Sequence, residues 1–452
     1  GDYLKEASDN RINMISVGFL YRYGYFKQQL TIKGEQQTIL EPHNFNDLPV
    51  TALKDEFGNP VLVVVSFPGR SVYLKVWVLM VGRNPLYLLD ADNDFNAAED
   101  RDITHQLYGG DWENRLKQEI VLGFGGIRLL KHLGYNIDIY HLNEGHAAFI
   151  NLERIGTLVQ EEKLTFDEAQ EVVRNTSLFT THTPVPAGHD VFNEDLLRVY
   201  LRHMPERIGI SWENLMQIGR MNPMDPEEPF SLSVLAANTC KEMNGVSELH
   251  GEVSREMFQN LYKGYFANES HIGHVTNGVH YPTWTAKEWK KLHNDYFDEE
   301  FCNKVHQRDL WKRIYDVPDE EIWSIRTLLR KKLITYIKER YEDNWVKRND
   351  NPRRIMDVLN TIDEHTLTIG FARRFATYKR AHLLFTDLER LNRIVNNEEM
   401  PVQFVFAGKA HPKDQAGQDL IKHIIEISQR PEFVGKIIFI ENYDIQLAKR
   451  LV

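Results

Sequence analysis

The chain has 452 residues, 42% of them hydrophobic and 26% charged, with a net charge of −11 at neutral pH. That length suits two or more domains with sizeable cores. The acidic balance argues against general binding to nucleic acid or anionic membrane, so any cationic cluster is a local device. Cys240 and Cys302 are too few for a disulfide framework or a cysteine zinc site, which points to a reducing compartment. No apolar run approaches the roughly 18 residues of a membrane span, and no signal peptide is visible. Gly1-Asp2 runs straight into helix-like sequence, so the chain reads as beginning mid-domain.

The first twenty residues read as a helix and a turn. Residues 25–89 look β-rich. Val61–Val65 is a continuous apolar run, Ser71–Leu79 mixes β-branched, aromatic and polar residues, and Phe57-Gly58-Asn59-Pro60 and Pro68-Gly69 are turn signals. The acidic stretch LDADNDFNAAEDRD follows from Leu89. Asp90, Asp92 and Asp94 match the start of a calcium-binding EF-hand loop, but Phe95 stands where the glycine is needed and Arg101 where the glutamate is. It reads as a solvated loop. Trp112–Leu133 has a helical pattern closed by Gly134, and the glycines inside it, in LGFGGI (Leu122–Ile127), read as close-packing positions.

A repeating grammar then appears. Ile137–Tyr140 is a strand-like run that ends on HLNEGHAAF (His141–Phe149). Ser177–Thr181 ends on THTPVPAGHD, and a helix with the capping box Thr165/Glu168 lies between the two. His274–Thr276 leads into NGVHYPTW, Leu367–Phe371 into a basic stretch, Val402–Ala407 into GKAHPKD and Ile437–Ile440 into ENYD. Apolar run, polar tip, helix is what doubly wound parallel sheets produce, and in them ligands collect at the carboxyl ends of the strands. The tips are therefore expected to converge on a cleft, as in an enzyme.

The basic stretch reads LTIGFARRFATYKRAHLL from Leu367, with Arg373, Arg374, Lys379 and Arg380 closely spaced. Leu384, Leu388, Leu391 and Val395 form one apolar stripe, so a helix is expected directly after the cations. Cations at a helix amino end make sense when an anion docks there, and phosphate suits both the backbone N–H groups and the Arg forks. The alternative is a solvated basic face.

A charged helical segment, Asp319–Glu342, and the polar run YEDNWVKRNDNPRR place a domain boundary close to Asn351. Residues 1–350 are read as an N-terminal α/β domain with a β-rich insertion, lacking its start. Residues 351–452 are read as the first part of a Rossmann-like domain, whose three strands are too few to bury an open sheet, so it is expected to continue beyond Val452.

The groups that carry chemistry are Asn143, Glu144 and His146, further imidazoles at His182 and His250, the amide of Asn277, and the cations near Arg374. Hydroxyl-rich ligands such as sugars need donors and acceptors of this kind, and phosphate needs the Arg and Lys. H-E-x-x-H, G-x-S-x-G and G-x-x-x-x-G-K-[ST] are absent, which argues against a zincin, an α/β-hydrolase and a P-loop NTPase. No metal is expected, although two His and a Glu in HLNEGH could ligate one. For each lone His the alternative is a satisfied structural imidazole.

These motifs carry a resemblance. HLNEGHAAF, the FTTHTP run at Phe179, NGVSELHGEVS at Asn244, TNGVHYPTW at Thr276, RRFATYKR, FAGKAHP and IIFIENYD stand in the order found in α-glucan (glycogen, starch, maltodextrin) phosphorylases. RLKQE at Arg115 is a further landmark, and HTPVPAGHD is similar to the compact prokaryotic branch. The resemblance implies an α/β fold of glycosyltransferase-B type, two Rossmann-like domains facing a cleft, with the second incomplete here. It implies reversible phosphorolysis of terminal α-1,4-glucosyl residues to α-D-glucose 1-phosphate, with retention, assisted by the phosphate of pyridoxal 5'-phosphate. By position, Arg374 and Lys379 would hold the substrate phosphate, with Tyr378 lining the site. Arg373 would face the cofactor phosphate and Tyr443 would line the cofactor pocket. Asn277 and His250 would bond glucosyl hydroxyls, and Asn143, Glu144 and His146 would line the substrate side.

The chain departs from the family pattern at several points. Arg373 stands where the family more often has Lys, a change of donor geometry rather than of charge. The loop between Tyr108 and Arg115 is shorter than in the animal enzymes. The glycine-rich loop expected before Gly1 and the segment with the Schiff-base lysine are absent, so this polypeptide alone is expected to bind cofactor weakly and to be inactive. The implied partners are an α-1,4-glucan or maltodextrin and inorganic phosphate or glucose 1-phosphate, with no nucleic acid and no membrane, in the cytoplasm. Proteins of this kind often form homo-oligomers. The rival readings are a nucleotide-sugar glucan synthase, which lacks the GFARRFATYKR and ENYD wording, and a non-catalytic glucan-binding subunit.

Overall fold

The computed structural model describes residues 1–107, 109–185, 189–348 and 351–452, with the side chains of all but residues 345–348. Tyr108 and part of the HTPVPAGHD run therefore lie outside the described residues, and the boundary expected at residues 350–351 abuts another undescribed pair. By backbone contact the chain divides into two compact units. One holds Gly1–Tyr25 and Pro42–Val279; the other holds Phe26–Glu41 and His280–Val452. The fold is mixed α/β, with parallel strands in both units.

In chain order the strands are β1 Ser16–Phe19, β2 Lys27–Leu30, β3 Gln36–Ile39, β4 Thr51–Ala52, β5 Leu62–Phe67, β6 Arg70–Val81 and β7 Asn84–Asp90. Next come β8 Tyr140–Asn143, β9 Ser177–Thr180, β10 Val191–Phe192, β11 Phe230–Ser231, β12 Glu242–Gly245 and β13 Gly273–His274. The last three are β14 Leu367–Ala372, β15 Val402–Ala407 and β16 Ile437–Ile440.

The first unit contains the expected β-rich region, ordered β1-β7-β6-β4 with β5 against β6. In β5, Val63, Val65 and Phe67 are buried while Val64 and Ser66 face outward, the two-residue period of a half-buried strand. Pro68-Gly69 closes the β5–β6 hairpin, with Gly69 at φ +70°, a conformation that glycine adopts freely. A second sheet is parallel throughout, ordered β13-β12-β9-β8. The capping box Thr165/Glu168 opens the helix Phe166–Asn175 that precedes β9. The expected helix at 112–133 is continuous but contains a wide π turn at Val121–Gly125. A Cβ on Gly123 would lie 2.6 Å from the Cβ of Phe149, and one on Gly125 would lie 2.9 Å from Cδ1 of Leu74. These glycines are where the helix presses against the helix at Phe149 and against the β-rich sheet.

Four sequence expectations shift in this unit. The acidic stretch from Leu89, read as a solvated loop, buries Asp90, Asn93, Asn96 and Asp100. The strand read at Ile137–Tyr140 lies at Tyr140–Asn143, because the ladder with β9 starts at Tyr140 and Leu142 is the residue it buries. The strand read at His274–Thr276 is Gly273–His274. The segment after the first helix is strand β1 rather than a turn alone, paired with β7.

In the second unit β14, β15 and β16 form a parallel sheet in that order. All of β16 is buried, and so is β15 beyond Val402, as for strands covered on both faces. The hairpin β2–β3, far away in sequence, docks on the carboxyl tips of this sheet. Gln28 Nε2 donates to the carbonyl of Gly408 at 3.0 Å, and Leu30 N–H donates to Glu441 Oε2 at 2.7 Å. Gln36 donates to the carbonyl of Ala410 at 2.9 Å and accepts from its N–H at 3.0 Å.

The helix expected directly after the basic stretch is divided. Arg380 is left-handed at φ +58°, Ala381–Phe385 is a 3-10 turn, and the α-helix starts only at Leu388. Asp387 caps it, accepting from Arg390 N–H at 2.9 Å. The apolar stripe is real, with Leu391 and Val395 buried and Leu384 and Leu388 half-buried, but the helix it belongs to does not open directly on the cations.

Candidate functional site

Each unit presents polar residues at the carboxyl edge of a parallel sheet. In the second unit the edge begins where β14 ends at Ala372. Phe375 is fully buried and anchors the basic segment: its N–H donates to the carbonyl of Lys409 at 3.0 Å, and it bridges to Ala410. With Phe375 pinned inward, Arg373 and Arg374 on one side and Tyr378 and Arg380 on the other are exposed, and Lys379 is half-buried. Gly408 sits at the β15 tip with φ +150°, and a Cβ there would lie 2.0 Å from the Arg373 carbonyl, so only glycine lets the two tips meet.

No ion pair among the described residues engages Arg373, Arg374, Lys379 or Arg380. Lys379 Nζ lies 4.7 Å from the centre of the Tyr378 ring. Burial, helped by Lys413 and Arg374, holds the His411 imidazole below its ordinary range. Tyr443 lies beyond β16 on the same edge, half-buried, and burial pushes its phenol up. Four cations on one loop that no carboxylate among the described residues neutralises form an anion-seeking surface.

In the first unit the tips of β8, β9, β12 and β13 share an edge because the sheet is parallel. Asn143 ends β8 and is exposed, and Glu144 follows it. His182 follows β9; its ring lies close enough to His141 to lower that imidazole's pKa, after the larger effect of burial. Thr180 Oγ1 donates to Asn244 Oδ1 at 3.0 Å, which ties β9 to β12. Asn277 lies beyond β13, its N–H donating to the carbonyl of Val246 at 3.0 Å.

His250 is only 7% exposed. Its Nδ1 accepts the Val246 N–H at 3.1 Å, which puts the proton on Nε2. Among the described residues that Nε2 is buried with no partner, and so is Oγ1 of the fully buried Thr181. Unpaired buried donors are costly, and a ligand hydroxyl would satisfy them.

His146 lies on the same turn as Asn143 and Glu144, but its ring belongs to a charge cluster. Nη2 of Arg115 is 2.9 Å from both Glu119 and Asp190, and His146 Nδ1 is 3.0 Å from Asp190 and 3.3 Å from Glu119. Burial and the adjacent Arg115 guanidinium oppose a charge on His146, but the bonds to Asp190 and Glu119 outweigh them and push the pKa up to about 9. Burial also works against the Asp190 carboxylate, yet His146 and Arg115 hold it below its ordinary range. Glu119, His146 and Asp190 have ligand atoms within 4.8 Å of one another, but the Arg115 guanidinium already supplies the positive charge a metal would bring.

Sequence reasoning gave Glu119 and Asp190 no role and marked Arg115 only as a landmark. The Arg115/Glu119 spacing of one helical turn was visible. Their meeting with His146 and Asp190 was not.

A family model described as carbohydrate phosphorylase matches residues 128–452. The chain is 42% identical to the maltodextrin phosphorylase of Thermococcus litoralis, over all of this chain and 53% of that protein. It is 39% identical to the glycogen phosphorylase of Aquifex aeolicus, over all of this chain and 65% of that protein. It is 38% identical to the glycogen phosphorylase of Mycobacterium tuberculosis, over all of this chain and 53% of that protein. The chain thus spans between about half and two-thirds of the length of these curated relatives. Matched by the family model over most of its length, it belongs to the carbohydrate phosphorylase family.

Proposed function

We propose that this chain is the part of an α-glucan phosphorylase that carries the glucosyl-binding edge and the phosphate-gripping loop. The reaction is reversible phosphorolysis of terminal α-1,4-glucosyl residues to α-D-glucose 1-phosphate, with retention. The observation that carries the reading is the pairing of chemistries. One unit offers amides and imidazoles with buried donors that are unpaired among the described residues, and the other offers cations that no carboxylate among them neutralises. The names of the relatives, maltodextrin and glycogen phosphorylase, support it.

In this reading Arg374 and Lys379 hold the phosphate and Tyr378 lines its site. Asn277 and His250 bond glucosyl hydroxyls, the latter through its unpaired Nε2–H, and Asn143 lines the substrate side on the turn that also carries Glu144 and His146. A phosphate fixed by paired cations is positioned as the nucleophile for an oxocarbenium-like centre. Pyridoxal phosphate fits the donors present at its phosphate end. Arg373 offers a guanidinium fork that no carboxylate among the described residues neutralises, and Tyr443 lines the pocket from the same sheet edge. When bound, that cofactor supplies a phosphate group that exchanges a proton beside the substrate phosphate.

The proposal includes the glycosyltransferase-B architecture and the domain boundary near residue 351. It also includes a cytoplasmic setting; no helix among the described residues is long and apolar enough to cross a membrane. The test is Arg374→Ala in the full-length enzyme. Phosphorolysis of maltodextrin should fall by about 10²–10³-fold, with an unchanged circular dichroism spectrum. Normal activity in that variant would overturn the assignment.

A further inference from the structure

We propose that Glu144 is a positioning residue, which clamps the tip of β9 so that His182 is presented beside Asn143. The inference rests on the phosphorylase reading and deepens it.

The backbone of Glu144 has φ 67° and ψ 176°. That combination belongs to glycine, since a side chain there collides with its own peptide groups. Yet the position holds glutamate, and the glycine stands one place later, where a Cβ would meet the Ser233 backbone N at 2.9 Å. Strain of this kind persists only when the surroundings over-determine it, and here they do. The Glu144 N–H continues the β8–β9 ladder by donating to the Thr180 carbonyl at 2.9 Å. The strained turn then swings the side chain sideways, across to the segment that leaves β9. A single carboxylate oxygen, Oε1, accepts both the His182 backbone N–H at 2.7 Å and the Thr183 hydroxyl at 2.8 Å.

Hydrogen bonds to an ionised acceptor are about twice as strong as neutral ones. These two fix a segment that has already left the sheet and has no strand ladder to hold it. Asn143, at the other end of the same turn, is exposed, and His182 is half-buried. The turn therefore sets the spacing between an amide and an imidazole on the ligand-facing edge, while its own carboxylate is engaged by the protein.

The experiment uses the full-length enzyme with maltodextrin and inorganic phosphate, and compares Glu144→Gln, Glu144→Gly and Thr183→Val. An amide oxygen can still accept both bonds, so Glu144→Gln should raise the maltodextrin KM by no more than about threefold. Glu144→Gly relaxes the turn and removes both bonds, and should raise it about tenfold or more, with the phosphate KM unmoved. Thr183→Val removes one bond without touching the turn and should fall between; it decides the matter if the glycine variant does not fold. Amide hydrogen exchange at His182 should quicken in Glu144→Gly and stay near wild type in Glu144→Gln.

The proposal is overturned if Glu144→Gln is as damaging as Glu144→Gly, because the carboxylate charge then acts on the ligand directly. It is also overturned if Glu144→Gly leaves both the glucan KM and His182 exchange unchanged. If the wild-type enzyme releases no glucose 1-phosphate, the phosphorylase reading fails, while the exchange measurement still decides the clamp.

Discussion

Gln28 and Asn442 are 414 residues apart in sequence and exchange a pair of hydrogen bonds. The Gln28 N–H donates to Asn442 Oδ1 at 3.1 Å, and the Asn442 N–H donates to Gln28 Oε1 at 2.8 Å. Asn442 is left-handed at φ +57°, immediately before Tyr443, so the exchange sets the direction in which the β16 tip leaves the sheet. Gln28 is 4% exposed, and its amide also reaches Gly408 and Gln36.

Gln28→Ala leaves several buried partners unpaired at once, among them the Asn442 N–H and the Gly408 carbonyl. The loss of stability should be about 2–4 kcal/mol, read as a lower Tm. Amide exchange should quicken at Leu30 and Asn442. If both stay protected and the Tm is unmoved, the hairpin is a passenger rather than a strap.

His146 gives a pH dependence with a defined sign. Its folded pKa of about 9 lies above the ordinary 6.5, so the folded state holds the proton more tightly. That stabilisation is fully present below about pH 6.5 and is lost as the pH rises through about 9. The ring is 37% exposed, so solvent screening leaves roughly 1–2 kcal/mol of the effect. The wild-type Tm should fall between pH 6.5 and 9.5 more steeply than that of His146→Gln, and the two curves should converge at alkaline pH. Parallel curves would show that the cluster does not hold the extra proton.

Gly123→Ala tests the close approach of two helices. In an open helix interior the change would gain about 1 kcal/mol from propensity. Here the new methyl would meet the Phe149 Cβ at 2.6 Å and the Phe149 and Ile150 backbone at 3.0 and 3.1 Å, none of which is a flexible chain end. Overpacking should win, with a loss of about 2–3 kcal/mol and a lower Tm.

The exposed cations predict a salt effect. Phosphate held by Arg374 and Lys379 at a solvated surface is screened by added ions, so its Kd should rise with ionic strength. Lys379→Ala should weaken binding and flatten that dependence, measured by titration calorimetry across a salt series. A Kd indifferent to salt would place the phosphate elsewhere.

Some elements could be read directly from residue types. β15 and β16 lie where their apolar runs end, because a strand covered on both faces has nearly every position apolar. The capping box at Thr165 is equally local, since its donors and acceptors are within one turn of each other. β12 had no such signal: its sequence EMNG buries only Met243 and Gly245, and it is a strand because β9 and β13 flank it. The stripe from Leu384 to Val395 implied one helix, yet Asp387 is a better cap than an interior residue and divides it.

Residue order alone carried the family and the succession of polar strand tips, since both depend on neighbours along the chain. Which side chains face one another at those tips was settled by strand register and by the docking of remote segments. His146 meets Asp190, and Gln28 meets Asn442, across stretches that leave no periodicity to detect. Glu144 takes up a glycine's backbone because the folded sheet brings His182 and Thr183 within reach of its carboxylate, and no local rule anticipates that.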